Sequence, residues 1–120
     1  MAKFIIKTTA TGTKFDLNIN GHIVLTSQVY KSLDACKNGI DSVKKNAPLN
    51  KIDDLDVEGD EVTNPKFEVY TDNAGKFRFR LKASNGQIIA TSEDFKAKED
   101  WLKVVALVVK EASGAAIEEA

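Results

Sequence analysis

The fold is decided by a stretch of sequence that occurs twice, as Gly21-His22-Ile23-Val24-Leu25-Thr26-Ser27 and, 65 positions later, as Gly86-Gln87-Ile88-Ile89-Ala90-Thr91-Ser92. The same offset continues downstream, where Tyr30-Lys31 aligns with Phe95-Lys96. A repeat of this period predicts two copies of one supersecondary unit that share a core.

Each copy predicts three strands. In the second copy, Phe77, Phe79 and Leu81 alternate with charged residues, a period of two that is typical of a strand with one buried face. Phe15 and Leu17 take the buried positions in the first copy. The third strands are the repeated stretches themselves, and the turns before them, Asn-Gly in both copies, predict type I′ hairpins.

A helix follows the strands in each copy. The first has an apolar stripe at helical spacing that includes Cys36 and Ile40, with Ser32 as N-cap and Asn46 as its end. The second is predicted from about Lys98 to Ala112, with Gly114 as its stop. After the first helix, residues 52–58 predict a short extra strand because Leu55 and Val57 alternate with carboxylates; the echo around Ile117 is weaker.

A unit of three strands and one helix buries little apolar surface and leaves an open sheet edge. We therefore predict an α+β fold, in which two tandem β(3)-α-β units form one antiparallel sheet with both helices on one face. Residues 1–120 form a single domain, divided into repeat 1 (1–58), a linker (59–65) and repeat 2 (66–120).

The composition is that of an ordinary globular domain. The 120 residues carry a net charge of −1, which disfavours a dedicated nucleic-acid binder. The single cysteine, Cys36, excludes an intramolecular disulfide and suits a reducing compartment. The longest apolar run, Val104 to Val109, is far too short to cross a bilayer, and no signal peptide is visible, so we expect a cytoplasmic protein with no membrane partner.

Two stretches of this sequence resemble the YegP-like bacterial proteins. One is residues 75–92, from Gly75-Lys76-Phe77-Arg78 to Ile89-Ala90-Thr91-Ser92, and the other is Cys36-Lys37-Asn38-Gly39-Ile40 with the residues up to Ala47. The resemblance implies two units in a single antiparallel sheet that exchange their last strands, with one-unit members forming that sheet as dimers. It implies no assigned activity and no catalytic residues. The second copy departs from the family pattern at Lys103-Val104-Val105 and in its reduced last strand.

A basic row on the second strand of repeat 2 is the candidate polyanion site. It comprises Lys76, Arg78, Arg80 and Lys82, of which the last three share one face of the strand. Their spacing could match phosphates along a nucleic-acid backbone. The interleaved Phe77 and Phe79 point to the other face and belong to the core, and we favour a solvated sheet face over a binding site.

The second helix carries apolar residues beyond a narrow stripe, and these form the candidate interface. They are Leu102, Val104, Leu107 and Val109, which align with Lys37, Gly39, Ser42 and Lys44 of the first helix. Two explanations remain open: the C-terminal tail packs over this helix, or the helix is an interface for a protein partner, most simply in a homodimer.

The remaining motifs give no chemical site. Asp54, Asp56 and Glu58 imitate half of an EF-hand loop, but Pro65 stands where the bidentate glutamate is required, so edge protection is favoured. Cys36 and the single histidine, His22, are expected to lie apart, which disfavours a nucleophile pair. The hydroxyls of the repeated Thr-Ser pairs are expected to satisfy backbone groups rather than contact a ligand.

We therefore predict a noncatalytic binding or protein-interaction module, with no cofactor and no metal, and keep nucleic-acid or other polyanion binding as the alternative. An enzyme is disfavoured because no base–nucleophile or metal constellation is visible.

Overall fold

A computed structural model describes residues 2–59 and 62–120 and shows an α+β fold with eight strands and two helices. The strands are β1 (Ala2–Thr8), β2 (Thr13–Ile19), β3 (His22–Ser27), β4 (Ile52–Asp54), β5 (Lys66–Thr71), β6 (Phe77–Lys82), β7 (Ile88–Thr91) and β8 (Ala116–Glu119). The helices are α1 (Leu33–Asn46) and α2 (Lys98–Glu111), each followed by one 3-10 turn, Ala47–Leu49 and Ala112–Gly114.

All eight strands form one sheet, in the order β4-β5-β6-β7-β3-β2-β1-β8. The two halves of the chain meet at its centre, where β3 and β7 pair antiparallel through Thr26 with Thr91 and Ser27 with Ala90. At the outer edges β4 pairs with β5 and β8 pairs with β1, and both pairs are parallel. The prediction of a wholly antiparallel sheet is therefore wrong. Neither outer strand is joined to its neighbour by a hairpin, so the connection does not impose an antiparallel direction.

The two hairpin turns differ, although both contain Asn-Gly. Asn20 and Gly21 have φ values of 54° and 87°, which confirms the type I′ turn between β2 and β3. In the second hairpin Gly86 has a φ of 84°, but Asn85 does not adopt positive φ, so the same prediction is wrong there. Its side-chain Oδ1 instead accepts a hydrogen bond from the Gln87 N–H at 3.0 Å, which stabilises a different turn.

The helix boundaries follow from local signals. Ser32 is the N-cap of α1, where its hydroxyl accepts a hydrogen bond from the Ala35 N–H at 3.1 Å. The helix ends at Asn46, two residues before Pro48, as predicted. The N-cap residue of α2 is Ala97, whose methyl side chain cannot accept a hydrogen bond, but Glu99 and Asp100 place negative charge in the first turn, where the helix dipole favours it.

One core lies between the helices and the inward face of the sheet. Phe4 and Phe15 pack edge to face with ring centroids 5.6 Å apart, and the corresponding rings of the second half, Phe67 and Phe79, do so at 6.0 Å. Buried residues of both helices join these rings in a single cluster.

The stretch after α1 forms less strand than predicted. β4 ends at Asp54, and Leu55 and Val57 are 47% and 58% exposed, because the chain turns where the Asp54 carboxylate accepts a hydrogen bond from the Asp56 N–H. Linker residues 60 and 61 lie outside the described residues. The C-terminal stretch does form a strand, β8, and it lies beside β1 instead of over α2.

Candidate binding groove

A groove opens at the centre of the molecule because β3 and β7 stay together for only a short distance. Beyond their two paired residues, the Gln28 N–H donates to the Ile89 carbonyl at 3.3 Å, and the chain then turns away to Tyr30, which bridges to Thr13. The space between α1 and the β6–β7 hairpin is left as a groove of about 770 Å³. It is therefore built from both halves of the chain.

The side chains that line the groove carry no charge, and they include both polar and apolar ones. Its apolar surface comes mainly from Ala35 of α1 and from Ile88 and Ile89 of β7. The polar side chains are Gln28, Tyr30, Asn38, Ser42, Asn85 and Gln87. A site of this size and mixture is within the range of small-molecule pockets, roughly 300–1,000 Å³.

Tyr30 and Gly39 depend on each other. The Tyr30 ring stacks on Phe15 with centroids 6.4 Å apart, and a Cβ atom at position 39 would overlap the Tyr30 hydroxyl, so only glycine leaves room for it. Burial, with a contribution from Cys36, raises the pKa of the Tyr30 hydroxyl, which therefore stays protonated near neutral pH. This hydroxyl has no hydrogen-bond partner among residues 2–59 and 62–120.

The corresponding positions of the second half are filled. Phe95 stacks on Phe79 at 6.1 Å as Tyr30 stacks on Phe15, but it has no hydroxyl. Val104 and Leu107, which align with Gly39 and Ser42, pack part of their surface against the core. The wall that α1 contributes to the groove thus has larger apolar side chains at the equivalent positions of α2.

The basic row of β6 is already engaged by carboxylates. The Arg78 Nε lies 2.7 Å from an Asp72 carboxylate oxygen, and the Arg80 Nε lies 2.8 Å from Glu68. The Arg80 guanidinium also lies over the Tyr70 ring, 4.7 Å from its centroid. Lys82 lies 3.7 Å from Glu68. Lys76, half-buried at the start of the row, forms no ion pair within the described ranges.

Glu68 is the centre of this charge network, although it lies on the side of the sheet opposite the helices. Its side chain is only 7% exposed and contacts Lys66 as well as Arg80 and Lys82. Burial acts to raise the pKa of the Glu68 carboxyl, but the three cations outweigh it and hold the pKa below its usual value. A hydrogen bond to Asp53 at 2.7 Å raises the pKa of Lys66 in turn. A phosphate bound here would have to compete with these carboxylates.

The four apolar residues of α2 are not equally exposed. Leu102 is 52% exposed, whereas Val104, Leu107 and Val109 are half-buried and pack against the core of their own chain. The C-terminal tail does not cover them, so that explanation is wrong; β8 finds its hydrogen-bonding partner on the sheet edge instead.

The serines of the repeated Thr-Ser pairs bond to the backbone. Ser27 accepts a hydrogen bond from the Phe15 N–H at 2.9 Å and donates to the Gln28 carbonyl at 2.7 Å. Ser92 makes the matching pair of bonds with Phe79 and Glu93 at the same distances. The prediction that these hydroxyls satisfy backbone groups is confirmed for the two serines, whereas the Thr26 hydroxyl donates to the Asp16 carboxylate at 3.0 Å.

The other sequence candidates are not brought together. Cys36 is fully buried, and burial raises the pKa of its thiol, whereas His22 is exposed at the start of β3. Within residues 2–59 and 62–120, no group of three or more His, Cys, Asp or Glu residues is arranged to hold a metal ion. No helix in these ranges is long and apolar enough to cross a membrane.

The groove could not be predicted from the sequence. A signal was present, because α1 has Gly39 and Ser42 where α2 has Val104 and Leu107. The sequence does not show which segment lies opposite these two residues. The pairing of β3 with β7 brings the β6–β7 hairpin beside α1.

Comparison with known proteins places this architecture in a family. The model of a domain of unknown function, DUF1508, matches residues 15–54 and again residues 72–119, once in each half. The chain belongs to the DUF1508 family. It is therefore a tandem DUF1508 protein, as the resemblance implied.

Relatives of the DUF1508 chain are found in bacteria and archaea. A UPF0339 protein of Pseudomonas aeruginosa is 39% identical over 95 residues, 77% of this chain and 73% of the relative. One from Methanosarcina acetivorans is 52% identical over 52 residues, which cover 43% of this chain but 90% of the relative, so that protein is about the size of one half. The solution structure of yegP from E. coli, described as a protein of unknown function, superposes with a TM-score of 0.80 at 27% identity, covering 98% of this chain and 91% of the other.

Proposed function

We propose that this DUF1508 chain is a noncatalytic binding module and that the groove between α1 and the β6–β7 hairpin is its binding site. The observation that carries the proposal is the difference between the halves. In the first half the Tyr30 ring occupies the room beside Gly39 and Ser42 lines the groove, whereas the second half has Val104 and Leu107 at these helix positions, so a polar wall in one place corresponds to apolar side chains in the other.

The chemistry of the groove supports binding rather than catalysis. Its lining includes no carboxylate, histidine, lysine or cysteine that could act as a general base or nucleophile. Tyr30 is its one titratable side chain; a phenol is protonated at neutral pH and can donate a hydrogen bond, and burial, which raises the pKa of Tyr30, favours that form further. The names of the matched relatives assign no activity that would argue otherwise.

Two alternatives are outcomes of the same test. Polyanion binding would use Lys76, Arg78, Arg80 and Lys82, and the carboxylates beside three of them argue against it. Homodimerisation or a protein contact would use the exposed Leu102 side chain on α2, since its apolar neighbours on that helix are engaged with the core.

The test is an NMR titration of the ¹⁵N-labelled chain with a mixture of neutral and charged fragment-sized compounds. We expect the shifted amides to cluster around the groove, at Asn38, Gly39 and Gln87. Ser42→Leu, which installs the residue found at position 107, should remove these shifts by filling the groove. Lys37→Leu makes the matching exchange on an exposed turn of α1 outside the groove and should leave them unchanged.

Chemical-shift changes that map to the arginines of β6 would favour polyanion binding. An oligomeric state that rises with protein concentration, and that Leu102→Lys lowers, would favour homodimerisation. Shifts at the groove that survive Ser42→Leu would contradict the proposed site.

We further propose that the fold consists of two β(3)-α-β units that exchange their trailing strands. Both helices pack on the same face of the common sheet. β4 follows α1 in the chain but pairs with β5, and β8 follows α2 but pairs with β1, which supports this arrangement. Nuclear Overhauser contacts between Phe4 and Ile117, and between Ile52 and Phe67, would test it in solution. Absence of both sets of contacts would refute the exchange.

A further inference from the structure

We infer that the groove takes an uncharged small molecule that combines an apolar body with an amide-type edge, meaning a hydrogen-bond donor and acceptor side by side. This inference rests on the proposed function and adds the chemical class of the ligand. It follows from the lining charges, the lining side-chain types and the position of one phenol.

The first argument is the absence of charge. Each side chain that lines the groove is uncharged, although 29% of the residues in the chain are charged and the polar sheet face is covered with ion pairs. A phosphate, carboxylate or ammonium group entering this space would lose water without gaining a counter-charge, which is unfavourable. The groove is therefore selective against charged ligands.

The second argument is the concentration of carboxamides. Four solvent-exposed residues with carboxamide side chains, Gln28, Asn38, Asn85 and Gln87, line one groove from three different segments of the chain. A carboxamide presents a donor and an acceptor at fixed spacing, so it pairs in a bidentate manner with another amide or with the edge of a nucleobase. The Asn85 oxygen is occupied by the Gln87 N–H, which leaves the Asn85 amino group to donate.

The third argument is the Tyr30 hydroxyl. It is held beside Gly39 by the stack on Phe15 and lacks a hydrogen-bond partner among the described residues. Because the ring is held between Phe15 and Gly39, the protonated phenol offers a donor of fixed position at the groove wall, whereas the apolar side chains of Ile88 and Ile89 offer a surface for a ring or chain. A donor next to an apolar wall orients a ligand that has one carbonyl-type acceptor and one apolar side.

Two series of probes test whether the amide-type edge of the ligand belongs to a nucleobase or to a peptide-like amide. The first is the four common ribonucleosides, each compared with its 5′-monophosphate. The second is N-acetyl amino-acid amides of leucine, phenylalanine and glutamine, each compared with the free zwitterionic amino acid. Binding to the full chain is measured by NMR titration at several salt concentrations.

We expect at least one uncharged series to bind at the groove amides, and its charged counterparts to bind at least about tenfold more weakly, because the charge finds no partner. Tyr30→Phe, which copies Phe95 of the second half, should weaken the best uncharged probe roughly three- to tenfold, the effect of one hydrogen bond. Lys37→Leu should leave its affinity unchanged.

Three results would overturn the inference. They are charged probes that bind as tightly as their neutral partners, neutral probes that bind equally to Tyr30→Phe, and failure of both neutral series to bind. If fragments of another class still shift the groove amides in a manner lost on Ser42→Leu, the proposed binding function stands and only the ligand class is wrong. If no compound shifts the groove, both fail.

Discussion

Glu68 offers the sharpest test of how the polar side of the sheet is stabilised. Replacing it by glutamine keeps its shape but removes the charge that Lys66, Arg80 and Lys82 share. The three cations then repel one another, and Lys66, whose side chain is 9% exposed, loses one of its two carboxylate partners.

The structure sets the size of the effect. Breaking a buried ion pair by removing one partner costs roughly 3–5 kcal/mol. Arg80 and Lys82 are 27% and 23% exposed, and Lys66 keeps Asp53 at 2.7 Å, so water and Asp53 compensate part of the loss. We therefore expect Glu68→Gln to lower the free energy of unfolding by about 2 kcal/mol at pH 7. For a domain of this size the melting temperature should fall by roughly 8 °C.

The assay is urea unfolding of the wild type and the Glu68→Gln variant between pH 7 and pH 3. Because the pKa of Glu68 is lower when folded, its stabilisation is present above the unfolded value of about 4.3 and disappears as the pH falls through the folded value. The two proteins should therefore converge in acid.

Glu118→Gln is the matched control. Its ion pair with Lys3 is 3.4 Å long and about half exposed on both sides, so a change below about 0.5 kcal/mol is expected. Equal stability of Glu68→Gln and wild type at pH 7, or a difference that does not shrink as the pH falls from 7 to 3, would refute the reasoning.

Three further predictions concern the core and its junctions. Ser27→Ala and Ser92→Ala should each cost about 2 kcal/mol in urea unfolding, because a buried backbone N–H loses its acceptor, and their effects should add; a cost confined to one serine would show that the halves are not equivalent. Gly12→Ala should destabilise by more than about 1 kcal/mol, since the new Cβ would overlap the Tyr30 carbonyl, and unchanged thermal melting would contradict this close approach. The Cys36 thiol should react with a disulfide reagent at pH 8 only at the rate of unfolding; fast labelling of the native chain would show that it is accessible.

Much of the secondary structure could be predicted because it depends on local signals. The alternation of Phe77, Phe79 and Leu81 predicts β6, and Ser32 fixes the start of α1 through its own hydroxyl. The repeat adds information that one copy alone lacks, since it aligns the buried rings of the two halves.

Features that depend on distant neighbours could not be predicted. The parallel direction of β4 is set by β5, which lies beyond the linker, and Asn85 departs from the type I′ turn although its dipeptide is the same as that at position 20. The groove is the clearest case: Gly39 and Ser42 are visible in the sequence, but the hairpin opposite them comes from the other half. The engagement of Arg78 by Asp72 depends on the turn after β5 in the same way.

The pairing of β8 with β1 has a consequence for how the molecule is made. β1 leaves the ribosome before its parallel partner, β8, which lies more than 100 residues later in the chain. At a synthesis rate of about 5–20 residues per second, one edge of β1 stays without its strand for several seconds. We expect a nascent chain stalled before residue 116 to be more sensitive to protease and to chaperone binding than one in which β8 has paired with β1.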